Sequence, residues 1–304
     1  MFEYIKNKVL DTSIYFSFDR SGFERHQREF LDKIEDLDFS GKTALITGAS
    51  TGIGLEVAKG FFAQNGERLT VLSRTAPKNL KGHQFHQCDL GDYKNVLSVA
   101  NNINSNLDFL ILNAGGMPEK YIENEYNHEQ QFASQLMGHF ILMRRLIDRG
   151  KVTKETNVIW TASGGMYLVK YNHSMLQMKP ESYDKVAAYA NVKRAQVILS
   201  EYLSEKFDPF FAVMHPGWVE TDAVKDAIPQ FYDFTKKRLR TPEQGADTII
   251  WLMGNHDRKL SGKFWFDRKQ VKKVAFPWTR NSKKECDNLF NFCEDFYQSL
   301  INER

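Results

Sequence analysis

The sequence predicts an α/β fold in three layers: a doubly wound parallel sheet with helices on both faces, preceded by a helical leader. Three observations predict it. From Lys42 onward, short apolar runs of strand length alternate with stretches of helical periodicity. Those runs are apolar at nearly every position, as strands covered on both faces must be. The first run also enters a glycine turn that opens a helix, Thr47-Gly-Ala-Ser-Thr-Gly-Ile-Gly54. The expected organisation is a leader over 1–40, a sheet domain over 41–280 and a C-terminal helix over 281–304.

In the leader, Phe2, Ile5, Val9 and Leu10 follow helical spacing, as do Phe23, Phe30 and Leu31, with Ser21-Gly22 punctuating between them. Two short amphipathic helices are expected, their apolar faces packed on the main domain or laid on a lipid surface. Strands follow at Thr43–Thr47, Leu69–Ser73, Gln84–Cys88, Phe109–Asn113, Val158–Thr161, Phe210–Met214 and Lys263–Phe266. Helices are expected over Leu55–Gln64, Glu129–Gly150, Val186–Lys206 and Pro242–Met253. Ligand is expected at the carboxyl ends of the strands.

Strand, glycine turn and helix in this order begin a Rossmann-type βαβ unit. Gly48, Gly52 and Gly54 permit a tight turn, close approach of a pyrophosphate and contact between helix and sheet, while the helix amino end favours phosphate. Ser50, Thr51 and Ile53 complete the cofactor loop. About twenty residues beyond such a turn, an acidic residue commonly holds the ribose hydroxyls of NAD. Arg74 stands there instead. A guanidinium binds a 2′-phosphate bidentately, which favours NADP(H) over NAD(H). Asp89, followed by Leu90, ends the third strand where it could accept the adenine amino group. Asn113-Ala114-Gly115 ends the fourth with small residues that let backbone lie against the cofactor.

Tyr189 and Lys193 are four residues apart on one helix, so a phenol and an ammonium share a face and can act as an acid–base pair. Ser163 lies just past the fifth strand. Taken in order, Thr47-Gly-x-x-x-Gly-x-Gly54, Asp89-Leu90, Asn113-Ala-Gly115, Ser163, Tyr189-x-x-x-Lys193 and Pro216-Gly217 with Thr221 resemble the short-chain dehydrogenase/reductase family. A narrower set resembles one branch of that family: Asp19-Arg-Ser-Gly-Phe-Glu24, Ser163-Gly-Gly-Met166, Met214-His-Pro-Gly-Trp218, Gln244-Gly-Ala-Asp-Thr248 and Asp267-Arg-Lys269.

The resemblance implies hydride transfer between a nicotinamide and a carbonyl or alcohol carbon. Ser163 would hydrogen-bond the substrate oxygen, and Tyr189 would give the proton in reduction or take it in oxidation. Lys193 would hold the nicotinamide ribose and, together with the oxidised nicotinamide, lower the Tyr189 pKa from about 10. Pro216-Gly217 would pass beside the nicotinamide and Thr221 would contact its carboxamide. Family members commonly carry Asn in the helix after the Asn-Ala-Gly strand, completing a proton relay to the Lys; here Gln135 occupies that place, or Ser134 if the alignment shifts by one residue. This departure supports an alternative, a dinucleotide-binding sensor or scaffold with little turnover. The resemblance also implies a homodimer, paired through the Tyr189 helix and the helix before it. His215 and Trp218, beside the Pro-Gly motif, are read as structural, with Trp218 a candidate floor of the substrate pocket.

Two segments are candidate pocket walls: 164–188, with Met166, Tyr167, Leu168, Met175, Leu176 and Met178, and 222–240, with Ala227, Ile228, Phe231, Tyr232 and Phe234. Such walls suit a small hydrophobic alcohol or carbonyl substrate. A net charge of +3 gives no footprint for nucleic acid. Ten Lys or Arg against two Asp over 257–284 suit a solvated surface or peripheral contact with an anionic membrane. Lys6, Lys8, Asp11 and Asp19 interrupt any signal-peptide core, so a cytoplasmic location is expected. Cys88, Cys286 and Cys293 form neither an even framework nor a metal-ligand spacing, and no metal is expected. His83, His86 and His173 are read as surface or turn residues.

Overall fold

In the computed structural model, which describes residues 10, 11, 13–254 and 257–303, the alternation becomes one eight-stranded sheet. Its strands are β1 (Thr43–Thr47), β2 (Arg68–Ser73), β3 (His83–Gln87), β4 (Phe109–Leu112), β5 (Asn157–Thr161), β6 (Phe210–Met214), β7 (Lys263–Phe266) and β8 (Lys269–Val271). They lie in the order β3-β2-β1-β4-β5-β6-β7-β8, all neighbours parallel except β7 and β8. The winding direction reverses between β1 and β4, so a crevice opens at their carboxyl ends.

The helices are α1 (Ile14–Ser17), α2 (Arg20–Gln27), α3 (Gly52–Ala63), α4 (Tyr93–Asn102), α5 (His139–Asp148), α6 (Lys185–Lys206), α7 (Asp222–Ala227), α8 (Pro229–Thr235), α9 (Pro242–Gly254) and α10 (Lys283–Asn302). Successive strand residues face opposite layers. Ala44, Ile46, Phe109 and Ile111 join the core under α3 and α9, while Leu45, Leu110 and Leu112 join the core under α4, α5 and α6. Two cores on one sheet explain why these strands read as unbroken apolar runs. Among the described residues, no helix is long and apolar enough to cross a membrane.

Three elements depart from the sequence reading. Helix α4, between β3 and β4, was not anticipated; Asp92 caps it by accepting a bond from the Asn95 amide, and Tyr93, Val96, Leu97 and Ala100 bury its inner face. The helix expected from Glu129 begins as a π-helical segment, Phe132–Gly138, before continuing as α5. Strand β8 returns antiparallel after a two-residue turn, with φ of 46° at Asp267 and 61° at Arg268. Positive φ at both central residues is the tight-hairpin geometry that Asn-Gly usually supplies, so Asp-Arg gave no local signal for it.

The leader also differs. Phe2, Ile5 and Val9 fall outside the described residues. Ser21 and Gly22 lie inside α2 rather than between helices. Gly22 is there for contact: a Cβ would stand 2.1 Å from the Ser17 carbonyl oxygen, where α1 ends. Phe23 is buried, but Leu31 lies beyond the helix and is 97% exposed.

Helix α10 opens on a capping box, Ser282 with Glu285. It lays Leu289, Phe290, Cys293, Tyr297 and Leu300 on the outer faces of α5 and α6. Phe290 meets Phe140 and Tyr202, Arg144 pairs with Glu294, and the Tyr297 hydroxyl donates to Asp148. Part of the basic tract is taken up within the fold: Arg268 pairs with Asp247, Lys269 with Glu29 and Lys273 with Glu201.

Candidate active site

The crevice between β1 and β4 begins at the glycine turn. Gly48 has φ of +70°, and a Cβ on it would stand 2.7 Å from the Ala114 Cα. A Cβ on Gly54 would stand 2.4 Å from the Gly48 carbonyl oxygen and 2.6 Å from the Asn113 amide nitrogen. The turn can therefore lie flat against the end of β4 only with glycine at both places. Thr51 occupies the N-cap position of α3 with no side-chain cap bond, so the first-turn amides stay available to an anion. Ser50 and Ile53 flank this position, and the Thr221 methyl lies over Gly52, 3.3 Å from where its Cβ would be. Further out, a cavity of about 370 Å³ is lined by Arg74, Gln87, Asp89 and Asn95. Arg74 is exposed, and no carboxylate pairs with it among the described residues. Open amides, a cradle only glycine permits and a cation beside a cavity fit a dinucleotide cofactor.

One buried network ties these pieces together. The Thr47 hydroxyl accepts bonds from the amides of Asn113 and Ala114 at 2.9 and 3.1 Å and meets His139 Nε2 at 2.8 Å. His139 Nδ1 lies 2.9 Å from the Gln135 carbonyl oxygen, so it carries the hydrogen and Nε2 accepts from Thr47. Burial pushes the His139 pKa down to about 3, which keeps this tautomer neutral. The π-helical segment explains how Gln135 can take part. Its carbonyl also accepts a bond from the Gln196 amide at 2.8 Å, and Gly138 lets the segment lie on the Leu90 carbonyl, only 2.0 Å from where a Cβ would be. Nothing in the local sequence marks His139 for this duty.

Ser163 ends the loop after β5, where its hydroxyl accepts from the Gly165 amide at 3.3 Å and lies near enough to the Tyr189 phenol to pull its pKa down. Tyr189 and Lys193 come from α6, four residues apart as expected. The Lys193 ammonium is buried, donates to the Thr161 carbonyl at 2.9 Å and sits 5.2 Å from the centre of the Tyr189 ring. In the protein alone the Tyr189 pKa is raised rather than lowered. Burial pushes the phenol up to about 12, and the Ser163 hydroxyl pulls it part of the way down, while the ammonium donates to the Thr161 carbonyl. Burial equally pushes Lys193 down, to about 7.

Gln135, not Ser134, reaches this centre. Its amide nitrogen donates to the Gly116 carbonyl at 2.6 Å. Its buried Oε1 has no hydrogen-bond partner among the described residues. A Cβ on Gly115 would lie 2.8 Å from that oxygen and 3.6 Å from the Lys193 nitrogen, so the two groups converge across a glycine. Ser134 donates to the Gln130 carbonyl instead.

On the far side of Ser163, the Pro216-Gly217-Trp218 stretch is held by the leader. Gly217 has φ of +77°, and a Cβ there would stand 2.5 Å from the Arg240 guanidinium and 2.6 Å from the Phe18 carbonyl oxygen. Arg240 is fully buried and donates to the carbonyls of Ser17, Phe18, Asp19 and Pro216 and to both oxygens of Asp267. Burial pushes the Asp267 carboxyl up, but Arg240 and His26 outweigh it and hold the group below the usual carboxylate range. The Phe18 carbonyl also accepts from the Trp218 amide at 2.8 Å. His215 is buried with both ring nitrogens unpartnered among the described residues, stacked on Phe266 at 4.1 Å and kept neutral by burial, with a pKa of about 3. Its environment is that of a packing ring. Sequence reasoning singled out neither Phe18 nor Arg240 for the site. Their signal is long-range, since Phe18 and Arg240 are 222 positions apart.

Comparison with known proteins places the whole chain. A family model described as short chain dehydrogenase matches residues 42–230. Dehydrogenase/reductase SDR family member 12 from Homo sapiens is 31% identical over 300 residues, covering 93% of this chain and 95% of that protein. Retinol dehydrogenase 12 from Homo sapiens is 28% identical over 282 residues, covering 85% of this chain and 87% of that protein. Among solved structures, an uncharacterised protein from Mycobacterium Paratuberculosis matches the fold with a TM-score of 0.70 at 20% identity, covering 88% of this chain and 97% of that one. With a family match across more than half its length and a relative of this identity along nearly all of it, the chain belongs to the short-chain dehydrogenase family of oxidoreductases, which act on CH–OH groups with NAD(P).

Proposed function

We propose that this oxidoreductase uses NADP(H) and acts on a hydrophobic alcohol or its carbonyl counterpart, with Tyr189 as the group that gives or takes the proton. The observation that carries the reading is the convergence of Ser163, Tyr189, buried Lys193 and Gln135 at the carboxyl end of a sheet whose switch point holds a glycine cradle.

Gly48, Gly52 and Gly54 with Asn113, Ala114 and Gly115 would bed the dinucleotide, Asp89 and Leu90 would face its adenine, and Arg74 would meet a 2′-phosphate. Pro216, Gly217 and Thr221 border the nicotinamide end. When bound, the nicotinamide supplies or accepts the hydride. The protein's own part is to hold the substrate oxygen and move one proton. Ser163 donates a hydrogen bond to that oxygen and favours negative charge developing there. Tyr189, kept protonated by burial, is suited to donate its proton to the oxygen in the reductive direction. Lys193, its ammonium anchored on the Thr161 carbonyl, would hold the nicotinamide ribose, and Gln135 holds the lysine side of the site through its amide. Met166 and Tyr167 are packed into the core, but the partly exposed Phe231, from the segment after Thr221, stands against Trp218 and supports an apolar substrate, and the likeness to retinol dehydrogenase 12 points the same way.

Fluorescence titration with NADPH and NADH, on wild type and Arg74→Ala, tests the cofactor. NADPH should bind more tightly than NADH, and the variant should lose NADPH affinity selectively, by about tenfold or more for a charge-assisted phosphate contact. Reduction of apolar aldehydes should then fall by at least about 100-fold in Tyr189→Phe. If nucleotide binds while turnover is absent, the chain is a sensor of the dinucleotide; if turnover is unchanged by that substitution, Tyr189 has no proton role.

A further inference from the structure

The leader does more than cover the sheet. Its Phe18 ring packs directly on Gly164, the residue after Ser163: a Cβ there would stand 2.3 Å from the ring edge. The same residue's backbone carbonyl holds the Trp218 amide and the Arg240 guanidinium on the opposite border of the crevice. One leader residue thus bridges both borders of the position a substrate carbonyl would take. Next to it, Tyr15 meets Trp218 edge-on at 5.7 Å and Phe234 at 6.2 Å, while Phe231 packs on the other side of Trp218 at 5.1 Å. Tyr15, Trp218 and Phe231 are only partly buried, and Phe234 is 75% exposed, so this aromatic cluster opens outward from a buried base at Phe18.

The anchoring is specific. Asp19 caps α2 by accepting from the Gly22 amide at 2.9 Å and accepts from the Arg238 guanidinium at 2.7 Å, while that guanidinium lies over the Tyr15 ring at 4.5 Å. Arg20 donates to the Leu239 carbonyl, and its amide to the Arg238 carbonyl. The chain after Thr221, a candidate substrate wall, is therefore clamped to the leader at its far end.

We infer that the leader forms one wall of the substrate pocket, with Tyr15 and Phe18 setting which apolar substituents fit beside Trp218. This deepens the proposed hydride-transfer reading and rests on it for the position of the reacting carbonyl. Phe18 defines the base near Ser163 and Tyr15 the outer part, where a long apolar tail would lie.

The test uses the full chain loaded with NADPH. Relative kcat/KM is measured for butanal, octanal and tetradecanal in wild type and Tyr15→Ala. The variant should lose about tenfold on tetradecanal, the scale of a lost apolar pocket contact, and change less than about twofold on butanal. Equal losses on all three aldehydes, or none, would overturn the wall, because a merely structural role lowers every substrate together. A second readout needs no turnover: tetradecanol binding to the NADPH-loaded protein, followed by intrinsic fluorescence, should also weaken about tenfold in Tyr15→Ala. If tetradecanol binds both proteins equally, or neither, the inference fails. If its binding responds to Tyr15 while no aldehyde is reduced, the wall stands and the hydride-transfer reading falls.

Discussion

At the scale of single residues, burial rather than pairing sets the acid–base character of the site. Lys193 gives up most of its solvent and gains one carbonyl, Thr161, so its charged form is disfavoured and its pKa falls to about 7. Tyr189 moves the other way, to about 12. These two shifts fix the sign of a pH profile. Below about 7 the lysine is charged and the tyrosine protonated, as reduction requires; as pH rises through that value the ammonium is lost first. The pH dependence of kcat/KM for aldehyde reduction should fall above neutrality, and Lys193→Arg, which stays charged, should remove that limb from whatever activity it retains. A limb unchanged in the variant would assign it to another group. The residue types of this centre were legible in the sequence because their spacing carries the chemistry. The direction in which Lys193 points was not, since Thr161 reaches it through the sheet and not through local spacing.

At the scale of elements, the strands were legible and several connections were not. A strand buried on both faces must be apolar throughout, so β1, β4, β5 and β6 announced themselves. The hairpin turn between β7 and β8 did not, because Asp267 and Arg268 take left-handed backbone for reasons that lie elsewhere in the chain. Asp267 receives Arg240 and His26; Arg268 bonds Asp247 with its side chain and the Thr248 hydroxyl with its amide, and it lies over Phe30 at 4.2 Å. The turn is the point at which leader, α9 and the chain after α8 meet. Asp267→Ala should therefore destabilise the protein by about 3–5 kcal/mol, the cost of leaving buried Arg240 uncompensated. Chemical denaturation with the leader's protease sensitivity as a second probe would measure it, and a loss under about 1 kcal/mol would mean that the four carbonyls alone satisfy Arg240. The pH sign follows from the lowered Asp267 pKa. This stabilisation is present above the carboxyl's unfolded value of 3.8 and is lost as pH falls through the lower folded value, so leader release is an acid event.

At the scale of the whole molecule, the motifs separate into two sets with two jobs. Those shared with the family at large, from the glycine turn to Thr221, surround the crevice. The narrower ones do something else: Asp19, Gln244 through Thr248, and Asp267 with Arg268 make the contacts that seat the leader and the chain around it. Their order in the sequence gave no hint of this, because each is short and its partner is distant. The family resemblance also implied pairing of two copies through α6 and the helix before it. In this chain α10 lies on the outer faces of both, with Phe290, Cys293 and Tyr297 filling what would otherwise be open apolar surface. An interface supplied by a second chain dissolves on dilution, whereas one supplied by the same chain is present at a fixed effective concentration however few molecules there are. The thermal midpoint should accordingly stay constant across a hundredfold dilution, with the mass in solution that of one 35.3 kDa chain. A midpoint that climbs with protein concentration would mean that subunits still associate elsewhere. A constant midpoint would make the fold's stability a first-order property, set by the sequence and indifferent to how much of the protein a cell makes.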